Sequence, residues 1–307
     1  MLSANPLADT ARRVPTKDSL FAITYFGGIM NITSKFFAVL AALAVLSVPA
    51  AAECLYDTEP ADFDIVVDGF AYDGDVLSVN DIAYVALREF ACMADNAVVW
   101  WEEDEAAAYV RTDSLLLRAP EDEFHIEANG RMIWCEYGVF TENDTMYIPL
   151  SGAAKAFGFD TTYVYEDNTT YLVRERSAAV PAEEFYDEEE LHWLSKIIHA
   201  EAQGEPFDGK LAVGNVILNR VESDEFPDTV YDVIFDNEHG VQFTPTVNGA
   251  IDKEPNADSV LAAKLCLDGA VLDETMLYFL NERIASSLWI PQNRDFVMAI
   301  GEHRFYS

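Results

Sequence analysis

Apolar residues recur at helical spacing between residues 190 and 205: Leu191, Leu194, Ile197 and Ile198 form one stripe, and Glu201 falls on its next turn. This predicts a helix from Glu188. Asp187 is its candidate N-cap, the acids 188–190 suit the positive end of the helix dipole, and Gly204 with Pro206 ends it. A second helix, over 209–221 with Asp208 as its cap, is apolar on nearly every side and belongs inside a core. Shorter helices are expected at 229–235 and 259–267. Short strands are expected at 276–280, 295–300 and 303–306.

Upstream the period changes. Between residues 64 and 173 short β-rich runs alternate with small helices, and residues 80–87 correspond to 143–150 at a constant offset of 63. Glu103 and Asp104 fall on Glu166 and Asp167 at the same offset. Each copy reads as a strand, a small helix (87–94 and 150–157), then two strands about an acidic turn. In the first copy those two strands are expected at 97–101 and 106–111. Trp100, Trp101, Tyr163 and Tyr165 can be cross-strand packing or stacking faces for sugar rings. Residues 176–187, rich in Ala, Pro and acids, read as a linker.

The front of the chain carries an apolar run over 36–48, then Ala50-Ala51-Ala52 before Glu53, which is the pattern of a secretory signal peptide with Met30 as the expected initiator. About 13 apolar residues are too few for a bilayer span of roughly 20, so no stable membrane anchor is expected. Glu53 before Cys54 does not suit a lipoprotein signal. The boundaries expected are 1–52 for leader and signal, 60–175 for the duplicated module, 176–187 for the linker and 188–307 for a second domain.

Charge and cysteines narrow the chemistry. Lys and Arg number 19 against 54 Asp and Glu, a formal charge of -35, which repels nucleic acid. An exported chain permits disulfides, and a bridge among Cys54, Cys92 and Cys135 is plausible, whereas Cys266 reads as a buried thiol in a helix. No CxxC, paired His or ordered calcium loop is present, so neither a metal nor another cofactor is expected. There is no HExxH, GxSxG or Cys-His pair to suggest a protease or amidase.

Glu201 is the chemical centre of the sequence. A carboxylate at the edge of a core face is partly desolvated, which raises its pKa toward the range useful for donating a proton near neutrality. The same position also suits half of a buried ion pair, with Arg220 as the partner.

The stretch HAEAQGEPFDGKLAVGNVILNR (199–220) resembles the spore cortex-lytic enzyme family of bacterial cell-wall hydrolases. The resemblance continues through FPDTVYDVIF (226–235), QFTP (242–245), LYFLN (277–281), Trp289 and IGEHRFYS (300–307). It implies a mostly helical, lysozyme-like domain that cleaves the glycan strand of peptidoglycan, with Glu201 protonating the glycosidic oxygen. The expected fold class is therefore α+β, with a duplicated small α+β module ahead of that domain. The repeats resemble the domain named after the N-terminal part of copper amine oxidases, which implies wall attachment. Only His125 lies in that region, so its name carries no metal here.

One obvious acid suits a lytic transglycosylase, in which the sugar's own C6 hydroxyl attacks. A hydrolysing muramidase and a peptidoglycan-binding wall protein without catalysis are the alternatives. Gln242, Thr244, Tyr278, Asn281 and Trp289 are the candidate sugar contacts. Glu205 is either a further contact or structural, and His199, two positions from Glu201, faces elsewhere on the helix. Vegetative wall and spore cortex both remain as substrate, and no oligomeric state is implied.

Overall fold

The computed structural model describes residues 58–307 apart from His239 and Ser286, so the expected signal peptide and Cys54 lie outside the described residues. The described chain is mixed α and β. Its first part runs β1 (Thr58–Pro60), β2 (Asp64–Val67), β3 (Phe70–Ala71), β4 (Val76–Val79), β5 (Ile82–Ala86), α1 (Leu87–Ala91), β6 (Val98–Glu102), β7 (Ala107–Arg111) and β8 (Leu116–Pro120). It continues with β9 (His125–Ala128), β10 (Arg131–Trp134), β11 (Phe140–Glu142), β12 (Thr145–Pro149), α2 (Leu150–Phe157), β13 (Phe159–Val164) and β14 (Thr169–Arg174).

Three sheets form, in strand orders β1-β4-β5-β12-β11, β10-β9-β8-β7-β6 and β13-β14-β2-β3. β5 and β12 pair antiparallel with Val85 opposite Ile148, two residues that are themselves 63 apart. Both strands are entered through an Asn-Asp turn in the left-handed region, with φ of 48° and 66° at Asn80 and Asp81 and 49° and 62° at Asn143 and Asp144. Asn and Asp tolerate that conformation, and such turns match the twist of a hairpin. The hairpin β2-β3 adds to β14, while β9-β10 adds to β7 through β8, so each half lends strands to the other.

One core unites the halves: Leu87, Phe90, Leu117, Ile126, Ile148, Phe157 and Leu172 are almost wholly buried together. The first helix is shorter than its pattern. It stops at Ala91 because Met93 and Ala94 donate to the carbonyls of Phe90 and Ala91, three residues back, tightening the end into a turn.

The segment read as a linker is packed. Ala178 and Ala179 are buried in the first core, residues 182–185 form α3 (Ala182–Phe185), and the Tyr186 hydroxyl accepts the Met132 backbone N–H at 2.9 Å. Its acids face solvent, whereas Ala178, Ala179 and Tyr186 are buried. The alternation of the two is too short to give a period.

The second part begins with α4 (Glu188–Ala202), where the Asp187 carboxylate accepts the N–H groups of Glu189 and Glu190 at 2.9 and 3.0 Å. Next come α5 (Phe207–Val221), α6 (Val230–Phe235), α7 (Pro245–Asn248) and α8 (Ala257–Asp268). The chain closes with β15 (Tyr278–Leu280), α9 (Trp289–Asn293), β16 (Phe296–Ile300) and β17 (His303–Tyr306), the three strands forming a sheet in the order β15-β17-β16. α5 starts two residues before the expected position. Pro206 occupies its N-cap and Asp208 sits in the first turn without capping, because proline supplies the entry angle and needs no N–H partner.

Helices α4, α5 and α8 pack against one another about Leu194, Ile197, Ile198, Leu211, Val213, Val216 and Leu265. Each such side chain contributes about 1.5–3 kcal/mol by leaving water. The approach is close enough that a Cβ on Gly214 would stand 2.7 Å from Cys266 Sγ and 3.0 Å from Ile198 Cδ1.

The two parts meet at Asp268, the last residue of α8. Its side chain is fully buried. It receives Arg131 at 2.7 Å, Lys155 Nζ at 2.9 Å and the Trp134 N–H at 3.3 Å, all from the first part. Cys92, Cys135 and Cys266 are free thiols, with Cys135 and Cys266 buried. No bridge joins any of these three described cysteines.

Candidate active site

Glu201 lies in the last turn of α4, after the buried Ile197 and Ile198, and is itself half-buried. The helix puts it there because its apolar stripe is anchored in the core a turn earlier. Burial alone raises its carboxyl to about 7 from an ordinary 4.5, and among the described residues it makes no hydrogen bond or ion pair. An acid held this way is half-protonated near neutrality and has no cation to stabilise its charge. The ion pair with Arg220 that the sequence left open does not form.

Arg220, at the end of α5, is occupied elsewhere. Its Nε donates to the Leu277 carbonyl at 2.8 Å, and its guanidinium carbon sits 4.7, 5.2 and 5.3 Å from the ring centres of Phe226, Phe243 and Tyr278. Burial pulls its pKa down to about 10. One side of α5 forms a polar ladder above it. Asn215 Nδ2 donates to the Ala270 carbonyl and its Oδ1 accepts the Leu272 N–H. Asn219 Nδ2 donates to the carbonyls of Asp273 and Met276 at 3.0 and 2.9 Å. These bonds fix the 270–277 segment that delivers β15.

The candidate sugar contacts distribute about this frame. Gln242 and Thr244 flank Phe243, whose ring lies 6.2 Å from Phe279 on β15, so the cation–aromatic cluster ties their loop to Tyr278. Gln242 is half-buried and donates to the Gly240 carbonyl, and Thr244 is exposed just before α7, which packs against α4, the helix of Glu201. The Tyr278 hydroxyl accepts from Arg294 at 2.6 Å, and the same guanidinium lies 5.6 Å from the centre of the Trp289 ring. Trp289 opens α9 and is 51% exposed, enough to offer a face. Asn281 starts a turn, with its Oδ1 accepting the Arg283 N–H at 3.0 Å.

Glu205 takes a different place. Its Oε2 accepts the Glu302 N–H at 2.9 Å, in the turn between β16 and β17. Gly301 in that turn has φ of +55°, and a Cβ there would run into the Glu205 carboxylate. The geometry makes Glu205 a tie for the hairpin and puts its carboxylate to use there. His199 is buried, its Nδ1 accepting the Asn256 N–H at 3.3 Å.

Two residues of this frame carried no signal of their own. Arg294 joins Tyr278 to Trp289 across 16 residues of sequence, and only a cation near two aromatic motifs hints at it. His303 is buried against Phe279, with ring centres 5.2 Å apart. Among the described residues no group of three or more His, Cys, Asp or Glu is placed to hold a metal ion.

Residues 204–306 match the family described as Cell Wall Hydrolase. The C-terminal third of the chain is a cell wall hydrolase domain. Glu201 stands three residues before the matched span, in the helix that leads into it. The hydrolase domain's relatives include the spore cortex-lytic enzyme of Oceanobacillus iheyensis, 37% identical over 120 residues, covering 39% of this chain and 42% of the relative. The spore cortex-lytic enzyme of Bacillus subtilis is 33% identical over 141 residues, covering 46% of this chain and 45% of that one. The chain thus spans under half the length of these relatives. Among solved structures, the catalytic domain of the germination-specific lytic transglycosylase SleB from Bacillus anthracis is 34% identical, with a TM-score of 0.37, covering 42% of this chain and all of that domain.

Proposed function

We propose that this chain is a secreted enzyme that cuts the glycan strand of peptidoglycan, in cell wall or spore cortex, by lytic transglycosylation. The observation that carries the reading is Glu201. It is an acid raised to about 7 by burial alone and free of any partner among the described residues, in the helix that opens a cell wall hydrolase domain. Protonated Glu201 gives its proton to the bridging oxygen between N-acetylmuramic acid and N-acetylglucosamine, and that bond breaks as the leaving sugar becomes an alcohol. The C6 hydroxyl of the muramic ring attacks its own anomeric carbon and returns its proton to the carboxylate. The product is a 1,6-anhydro end, and no water is consumed.

Chemistry with two carboxylates would need a second free acid close by. Glu205, the next acid along the chain, has its carboxylate bonded in the β16-β17 turn. Gln242, Thr244, Tyr278, Asn281 and Trp289 are assigned to the sugar, on the frame made by Arg220 and Arg294. The first part of the chain is assigned as two copies of one unit that have exchanged hairpins, serving to hold the enzyme on the wall. Support comes from the 63-residue offset and the pairing of β5 with β12 through equivalent residues.

Mass spectrometry of fragments released from purified peptidoglycan tests the reading. Anhydromuramyl ends are expected, and reducing muramyl ends would make the enzyme a hydrolase. Absence of any glycan cleavage would leave a binding protein.

A further inference from the structure

The first part of the chain contains a cavity of about 370 Å³ that the chemistry of Glu201 does not use. It opens between the start of α1, the strands β6 and β7, and the β11-β12 turn. Its volume falls at the low end of small-molecule sites, roughly 300–1,000 Å³. Trp101 lines it beside Val99 and Ala108 of the same sheet face and is 40% exposed, whereas Ala108 is buried and Val99 partly so. The Trp101 Nε1 donates to Glu103 at 3.1 Å, which fixes the plane of the indole. Around it stand Arg88, Glu89, Glu121, Asp144 and Thr141.

We propose that this cavity binds one uncharged hexosamine ring of the N-acetylglucosamine type, seated on the face of Trp101. A fixed, half-exposed indole offers a flat apolar surface to the C–H face of a pyranose. Carboxylates and a hydroxyl about its edge accept from and donate to sugar hydroxyls, and bonds to charged acceptors are the stronger kind. Three carboxylates against one guanidinium leave the lining negative. The lactyl carboxylate of muramic acid and the acidic stem peptides are repelled, so the neutral sugar of the strand is selected. The choice of sugar rests on the glycan reading above, whereas the existence of the site rests on the cavity alone.

The test is calorimetric titration of the full-length chain carrying Glu201→Gln with tri-N-acetylchitotriose, compared in Trp101→Ala and Trp101→Tyr backgrounds. The parent is expected to show a site that Trp101→Ala weakens roughly tenfold or more, the size of one aromatic contact, and that Trp101→Tyr largely retains. In chains with native Glu201, Trp101→Ala should leave turnover of soluble glycan oligomers unchanged. Identical isotherms for the parent and Trp101→Ala would overturn the proposal, as would equal loss in the Ala and Tyr variants, since the ring would then not be the contact. Normal glycan cutting by Glu201→Gln would refute the catalytic reading instead, through a separate measurement.

Discussion

Replacing Glu201 with Gln should make the protein less active and, above neutral pH, more stable. In the unfolded chain this carboxyl ionises at its ordinary 4.5, whereas in the folded chain burial holds it to about 7. The folded state therefore binds the proton more tightly between those values. Below about pH 4.5 the residue is neutral in both states and exacts no penalty. As pH rises from 4.5 through 7 the folded state must ionise a desolvated group, and stability falls, levelling above 7. At about 1.4 kcal/mol per pH unit, the interval amounts to about 3 kcal/mol. Gln is neutral throughout and escapes it. Denaturant unfolding of the two proteins at pH 4, 6 and 8 should give a difference near zero at pH 4 that grows to about 3 kcal/mol in favour of Gln at pH 8. Activity should meanwhile drop by roughly 10²-fold or more, the usual contribution of a positioned proton donor. A stability difference that is flat with pH would show that the carboxyl is not desolvated, and the argument for Glu201 as the acid would fall with it.

Three further outcomes are expected. Asp268→Asn strands Arg131 and Lys155 at the junction of the two parts and should cost about 3–5 kcal/mol, the range for breaking a buried charge cluster, measurable by the shift in denaturation midpoint. Arg220→Met keeps the bulk between Phe226, Phe243 and Tyr278 but loses the bond to Leu277. It should raise KM roughly tenfold with a smaller change in kcat, since it loosens the 242–244 loop while leaving Glu201 in place. A fragment of residues 188–307 should cut soluble oligomers yet melt several degrees below the full chain, because it gives up the cover of Met132 and Trp134 on its core, and sedimentation with whole sacculi should weaken.

What the sequence made legible was local. Asp187 could be read as a cap because capping involves only the next three residues, and α4 because its stripe repeats within 15 residues. The offset of 63 marked β5 and β12 before their pairing was visible. Contacts across long separations were illegible: Arg131 and Lys155 reach Asp268 over 137 and 113 residues, and nothing in their neighbourhoods marks them as a cluster. The pairing of β2 with β14 was equally hidden, since a strand's period says which face is buried but not which strand lies beside it. Within the site, Glu201 stood out because an acid interrupts an apolar stripe. Arg294 and the tie made by Glu205 were hidden, because their partners, Tyr278 on β15 and Glu302 in the β16-β17 turn, lie 16 and 97 residues away in sequence.

The buried joint at Asp268 removes a degree of freedom that a jointed enzyme would have. A cutter on a slack tether sweeps a sphere around its point of attachment and can clear many bonds from one foothold. On the proposed reading of the first part as a wall anchor, the grip and the blade are cast as one piece, so a molecule fixed to an immobile strand would have a single reach and a single angle of attack. Progress across an insoluble wall would then be by stepping, with the protein letting go and landing again to find fresh bonds. For such a machine a tighter grip would be a slower one, and the residence time of the proposed anchor, rather than the chemistry proposed at Glu201, would set the pace of erosion.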